Sequence, residues 1–193
     1  MDFQLPEEIL ADFRARIDHG IFGYTDPGQE YFDALDHWFF TRHGYHVDRE
    51  TVTVGCGVVY GLATGVKAFT KEGDAILIQQ PVYYPFRNTI LANERECVNS
   101  PLVLEDERYR MDLDDMEQKI REHDVKIFIL CSPHNPVGRV WTKDELAAAG
   151  RLCEKYDVIV VSDEIHSDFT YGGLTHTVFP SISPQLAERT ILC

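Results

Sequence analysis

The chain has 193 residues, 44% of them hydrophobic and 26% charged, which is ordinary for a globular protein and enough for one good-sized core. Against 18 Lys and Arg stand 32 Asp and Glu, a net charge of −14 that repels phosphodiester backbones and argues against a nucleic-acid partner. No apolar run nears the ~18 residues a bilayer span needs, and the start MDFQLPEEIL has early acids and no basic segment, so the expected setting is cytoplasmic, with no membrane contact and no secretory leader.

Pro6-Glu7-Glu8 opens an amphipathic stretch with Ile9, Leu10, Phe13 and Ile17 that stops at His19-Gly20, the pattern of a helix with Pro in its first turn and Gly at its end. The loop IFGYTDPG follows. A second helix is predicted from about Gln29 to His43, and its aromatic face (Tyr31, Phe32, Leu35, Trp38, Phe39) is read as core packing. From residue 50 onward short apolar runs alternate with helical patterns. TVTV (51–54) predicts a strand, 57–70 a helix, AILIQQ (75–80) a strand, and the stretch after PVYYP a helix to about Asn93. Residues 97–104 are expected to be extended. Asp112 precedes a helix reaching Glu122; VKIFILC (125–131) is a strand buried on both faces. Thr142, with Glu145 three residues on, caps a further helix. VIVVSD (158–163) is another strand, and TILC at 190–193 begins one more.

Strand–helix alternation with fully apolar strands predicts an α/β domain: a mostly parallel sheet flanked by helices. In such sheets ligands bind beyond the carboxyl ends of the strands. The stretches expected there are GCG (55–57), PVYYP (81–85), SPHNPVG (132–138) and DEIH (163–166).

Gly55-Cys56-Gly57 between strand and helix could let the free N–H groups of Val58 and Val59 face an anion, or could be no more than a tight turn. The G-x-G-x-x-G pattern fails, because Tyr60 stands where the third glycine belongs. Tyr83 and Tyr84 between two prolines could stack on a flat ligand or cover the core edge. Two prolines and Gly138 hold Asn135 rigidly, which favours a functional hydrogen bond over simple turn chemistry. Asp163, at the end of its strand, needs a cationic or protonated partner if buried. A metal would need three converging ligands, yet Asp163 and Glu164 are neighbours in extended chain and point to opposite sides; no metal site is expected. The cysteines at 56, 97, 131, 153 and 193 are scattered, odd in number and free of C-x-x-C, which predicts reduced core thiols.

Taken together, IFGYT, PVYYPF, CSPHNPVGRVW, SDEIH and HTVF resemble the large domain of fold-type I pyridoxal 5'-phosphate (PLP) enzymes, nearest to the cystathionine β-lyase branch of the class I/II aminotransferase superfamily. The resemblance covers essentially the whole chain. It implies that Val58 and Val59 hold the cofactor phosphate, that Tyr83 stacks on the pyridine ring with Ile165 on its other face, and that Asn135 donates to the phenolic oxygen. It pairs Asp163 with the pyridine nitrogen and sends Tyr24 to the phosphate of a neighbouring subunit, hence a homodimer. His166, where many aminotransferases of this fold carry Tyr, favours the lyase branch. His134, Glu164 and Asp168 receive no role, and His176 a structural one.

The resemblance also implies a Schiff-base lysine after the strand begun by TILC, and none of Lys67, Lys71, Lys119, Lys126, Lys143 or Lys155 matches its context. The expectation is therefore one truncated PLP-binding large domain, 1–193, with 1–22 as an N-terminal helical segment, the C-terminal small domain absent, and no activity from the 193 residues alone. The expected complete enzyme releases thiol, pyruvate and ammonia from a small sulfur-containing amino acid. An aminotransferase on the same scaffold is the alternative, then a non-catalytic binding or dimerisation fragment, and last a nicotinamide-binding domain.

Overall fold

The computed structural model describes residues 3–193, so the first two positions of the N-terminal segment lie outside the described residues. The chain divides into an N-terminal unit ending at Leu35 and a larger unit, Asp36–Cys193. In the first lies α1 (Glu7–His19), with Gly20 at φ 73° as its left-handed cap and Glu7 and Glu8 in its first turn, where carboxylates suit the helix dipole. Helix α2 (Gln29–His43) runs from the first unit into the second.

The larger unit is built on β1 (Ala75–Ile78), β2 (Glu96–Asn99), β5 (Ile127–Cys131), β6 (Ile159–Asp163) and β7 (Thr190–Leu192), all parallel, in the order β2-β1-β5-β6-β7. Strands β3 (Val103–Glu105) and β4 (Arg108–Arg110) form a separate antiparallel hairpin. Every residue of β1 and β5 is buried, because helices cover both faces. On one face α3 (Val58–Phe69) and α4 (Pro85–Ala92) bring Leu62, Val66, Phe86 and Ile90 against Ile76, Ile78, Ile127, Ile129 and Val161. On the other, α5 (Leu113–His123) and α6 (Lys143–Lys155) bring Met116, Ile120, Leu146 and Cys153 against Leu77, Phe128, Leu130 and Val160. A Cβ on Gly65 of α3 would stand 3.1 Å from Ile191 Cδ1, so the glycine sets how closely that helix lies on the sheet. A short helix α7 (Pro184–Ala187) precedes β7. The predicted parallel α/β architecture is thus found, with the predicted Thr142–Glu145 capping box on α6 formed in both directions.

Two local expectations fail. Residues 51–54 form no strand: Asp48 accepts the N–H of Glu50 (3.0 Å) and the Thr51 hydroxyl bonds the Asp48 carbonyl (2.7 Å), closing a 3₁₀ turn over Arg49–Thr51. Local side-chain bonds of this kind compete with strand pairing. The aromatic face of α2 is not core either, since no residue of that helix is buried and Tyr31 and Trp38 stay about half exposed (47% and 50%). Spacing reports an apolar face but not what covers it.

Candidate active site

At the carboxyl ends of the strands the order reverses between β1 and β5: β1 has the following strand, β2, on one side and β5 on the other. Such a switch point opens a crevice between diverging connections. The ladder between β1 and β5 is correspondingly short, pairing Ile76 with Ile127 and Leu77 with Phe128 only. A cavity of about 360 Å³ at these strand ends is lined by Val58, Val59, Tyr83, Cys131, Asn135, Asp163, Ile165 and His166. The residues singled out from four separate stretches of sequence therefore converge. Tyr24 belongs to the N-terminal unit and is fully exposed. A second hollow is lined by Asp114, Glu117, Gln118, Arg121 and Glu122, all from α5, so it brings together no groups from separate elements.

Each wall has its own local cause. Gly57, at φ 127°, turns the chain into α3 with no side chain capping the helix, so the first N–H groups, Val58 and Val59 among them, lack intrahelical partners. These donors and the helix dipole suit an anion. Tyr83, half-buried, sets its ring edge-on to Phe86 (6.2 Å between centroids, 83°), leaving an aromatic surface on the cavity. The side-chain amide of Asn135 has no hydrogen-bond partner among the described residues, while its backbone N–H donates to Cys131 Sγ at 3.4 Å.

Asp163 is 5% exposed and accepts one bond, from Ile165 N (3.2 Å). It forms no ion pair among the described residues. Burial raises its carboxyl pKa above the ordinary aspartate range, although the Ile165 N–H and the nearby His166 pull the other way. A cationic N–H in the cavity would relieve that penalty. The next residue faces elsewhere, as strand alternation requires. Glu164 accepts Ser162 Oγ (2.8 Å) and Phe179 N (2.9 Å) and pairs with His176 Nε2 (2.5 Å), both side chains essentially buried. His176 thus has the structural place expected of it, and Glu164, which had no role from sequence, is its buried partner. Asp168 accepts Trp38 Nε1 (2.9 Å) and Arg42 Nε (3.3 Å), fixing the end of α2.

Cys131 is the lining residue that sequence reasoning missed as such. Burial pushes its thiol up to about 12, so it remains a neutral S–H, donating to Pro133 O at 3.5 Å. Its place as the last residue of a buried strand was the available signal. All five cysteines are free. Among the described residues no three His, Cys, Asp or Glu side chains gather as a metal site would require, and no helix is long and apolar enough to cross a membrane.

The arrangement suits a flat ligand with an anionic group at α3, a protonated ring nitrogen at Asp163 and a hydrogen-bond acceptor at Asn135. Comparison with known proteins agrees. The family described as aminotransferase class I and II matches residues 1–192. Cystathionine beta-lyase PatB of Bacillus subtilis is 45% identical over 193 residues, covering all of this chain and 50% of PatB. Among solved structures, cystalysin from Treponema denticola, which contains a pyridoxal 5'-phosphate cofactor, superposes with a TM-score of 0.95 at 38% identity, over 100% of this chain and 49% of that one. The PLP-bound C-S lyase from Staphylococcus hominis does so with a TM-score of 0.95 at 36% identity, over 100% and 49%. The chain spans about half the length of these relatives.

Proposed function

Because this chain belongs to the class I and II aminotransferase family, we propose that the protein is a PLP-dependent carbon–sulfur β-lyase acting on a small sulfur-containing amino acid such as cystathionine, and that the strand-end cavity holds its cofactor. The observation that carries the cofactor is Asp163, a buried carboxylate without a cationic partner among the described residues, lining a cavity that a helix N-terminus also lines. Similarity to named C-S lyases and His166 at the third position after Asp163 support the lyase over the aminotransferase.

The donor set fits PLP. Asp163 would accept from the protonated pyridine nitrogen, and Val58 and Val59 would hold the phosphate through their N–H groups. Tyr83 would stack on one ring face, Ile165 would cover the other, and Asn135 would donate to the phenolic oxygen, with His166 beside it. When bound, PLP supplies an electron sink for the pair left at the substrate Cα once its proton is removed. The chain's own contribution is electrostatic and positional. The carboxylate of Asp163 would keep the ring nitrogen protonated, and Tyr83 and Ile165 would exclude water from the ring faces. Among the described residues no lysine lines the cavity, so these side chains hold the cofactor without a covalent bond. A homodimer and a cytoplasmic setting belong to the same reading. The first is supported by the exposed apolar side chains Phe3, Ile9, Phe13, Ile17, Phe22 and Tyr24, the second by the free thiols.

The test has two parts. Titrating the 193-residue chain with PLP should give saturable binding, while borohydride should fix no cofactor to it; stoichiometric covalent labelling would overturn the assignment of these groups. In the active enzyme, cystathionine should release pyruvate without any added keto acid. Amino transfer that depends on a keto acid, with no pyruvate release, would instead establish the aminotransferase.

A further inference from the structure

His134 lies at the centre of the loop after β5 and is 2% exposed. Its ring meets Trp141 edge-on (5.5 Å between centroids, 89°), and its backbone pairs with Arg139 across the loop (N–H to carbonyl, 2.8 Å). Nε2 lies 3.0 Å from the carbonyl oxygen of Pro81, in the loop after β1. A carbonyl only accepts, so Nε2 carries the hydrogen. Burial lowers the ring's pKa to about 4, which keeps it neutral at physiological pH.

The place of this bond gives it meaning. The β1–β5 ladder ends at Leu77 and Phe128, and beyond that point the two chains part to make the crevice. His134 Nε2 to Pro81 O is a hydrogen bond that crosses from one loop to the other. Tyr83 follows two residues after Pro81, and Asn135 is the next residue after His134. Both line the cavity.

We propose that His134 is a positioning residue, a strut across the split between β1 and β5 that sets the spacing between the Tyr83 ring and the Asn135 amide. Its effect on cofactor affinity rests on the cavity being the PLP site; its effect on the loops does not.

Hydrogen–deuterium exchange of the cofactor-free protein, with PLP titration alongside, tests this on His134→Phe, which keeps a ring against Trp141 but loses the donor, and His134→Gln, which restores an N–H. The Phe variant should exchange about tenfold faster in residues 81–86 as well as 132–138, with β1 and β5 unchanged, and bind PLP about tenfold more weakly, the equivalent of one hydrogen bond. The Gln variant should recover most of both. Faster exchange confined to 132–138 would overturn the strut. Absence of PLP binding by the unmodified protein would overturn the cofactor reading alone, leaving the exchange result to decide. If the Phe variant does not fold, imidazole ¹⁵N spectra of the unmodified protein decide instead: a neutral Nε2–H tautomer at pH 6–8 supports the strut, and an Nδ1–H tautomer refutes it.

Discussion

At Asp163 the demands of stability and ligand binding oppose each other. Its carboxyl pKa is raised, first by burial, with Glu164 adding repulsion. A group whose folded pKa exceeds its unfolded value binds more protons when folded, so the cofactor-free chain loses stability as pH rises from the ordinary aspartate value through the raised one. Asp163→Asn should remove that slope and raise the cofactor-free melting temperature by a few degrees at pH 7, each kcal/mol counting for about 2–4 °C in a chain of this size. It should also weaken PLP binding roughly 10- to 100-fold by replacing a charge-assisted hydrogen bond with a neutral one. Calorimetry and a fluorescence titration read the two effects, and a variant both less stable and equally tight would contradict the account. The need of Asp163 for a partner was legible in the sequence, because a carboxylate ending an apolar run has few other fates. The places of Glu164 and His134 were not: their partners, His176 and the Pro81 carbonyl, lie 12 and 53 residues away, and no local pattern announces such pairs.

Among the elements, those whose cause is local could be read and those whose cause is remote could not. The start of α6 is written in Thr142 and Glu145, and both halves of the box form. The structure adds that Glu145 also takes Arg139 Nη2 on both oxygens at 2.6 Å, with the arginine side chain only 8% exposed. Thr142→Ala should therefore cost about 1 kcal/mol, as a lost cap does. Glu145→Ala strands a buried guanidinium and should cost about 3 kcal/mol or more. Urea denaturation compares them, and equal losses would mean that the arginine finds another partner. The hairpin of β3 and β4 escaped notice because its turn places Asp106 and Glu107 at φ 46° and 62°, positions that usually advertise themselves with Asn or Gly. The Thr-Val alternation at 51–54 misled for the opposite reason, since a nearby aspartate captured the backbone first.

On the scale of the whole molecule, helical spacing and strand alternation sufficed to predict a parallel sheet between helices. They could not say which apolar faces the chain itself covers. Ile9, Phe13 and Ile17 on α1 remain 43%, 56% and 65% exposed, and exposed apolar stripes of this kind mark surfaces of association. Under the homodimer reading, Phe13→Glu with Ile17→Glu should shift sedimentation from dimer to monomer while leaving the far-ultraviolet circular dichroism of the larger unit intact. A monomeric parent protein, or a doubly substituted dimer, would remove α1 from the interface.

The end of β6 works by parity. Asp163 faces the cavity, while Glu164 accepts from Ser162 and pairs with His176. Two acids side by side in the chain thus belong to different compartments, one held open for a ligand and one spent on the scaffold. A single residue inserted upstream within the strand would move Asp163 into the place of Glu164, facing His176 one methylene too short, and would put Ser162 where the cavity has its acid. The spacing of this motif should therefore tolerate substitution on its greasy side far better than any change in length.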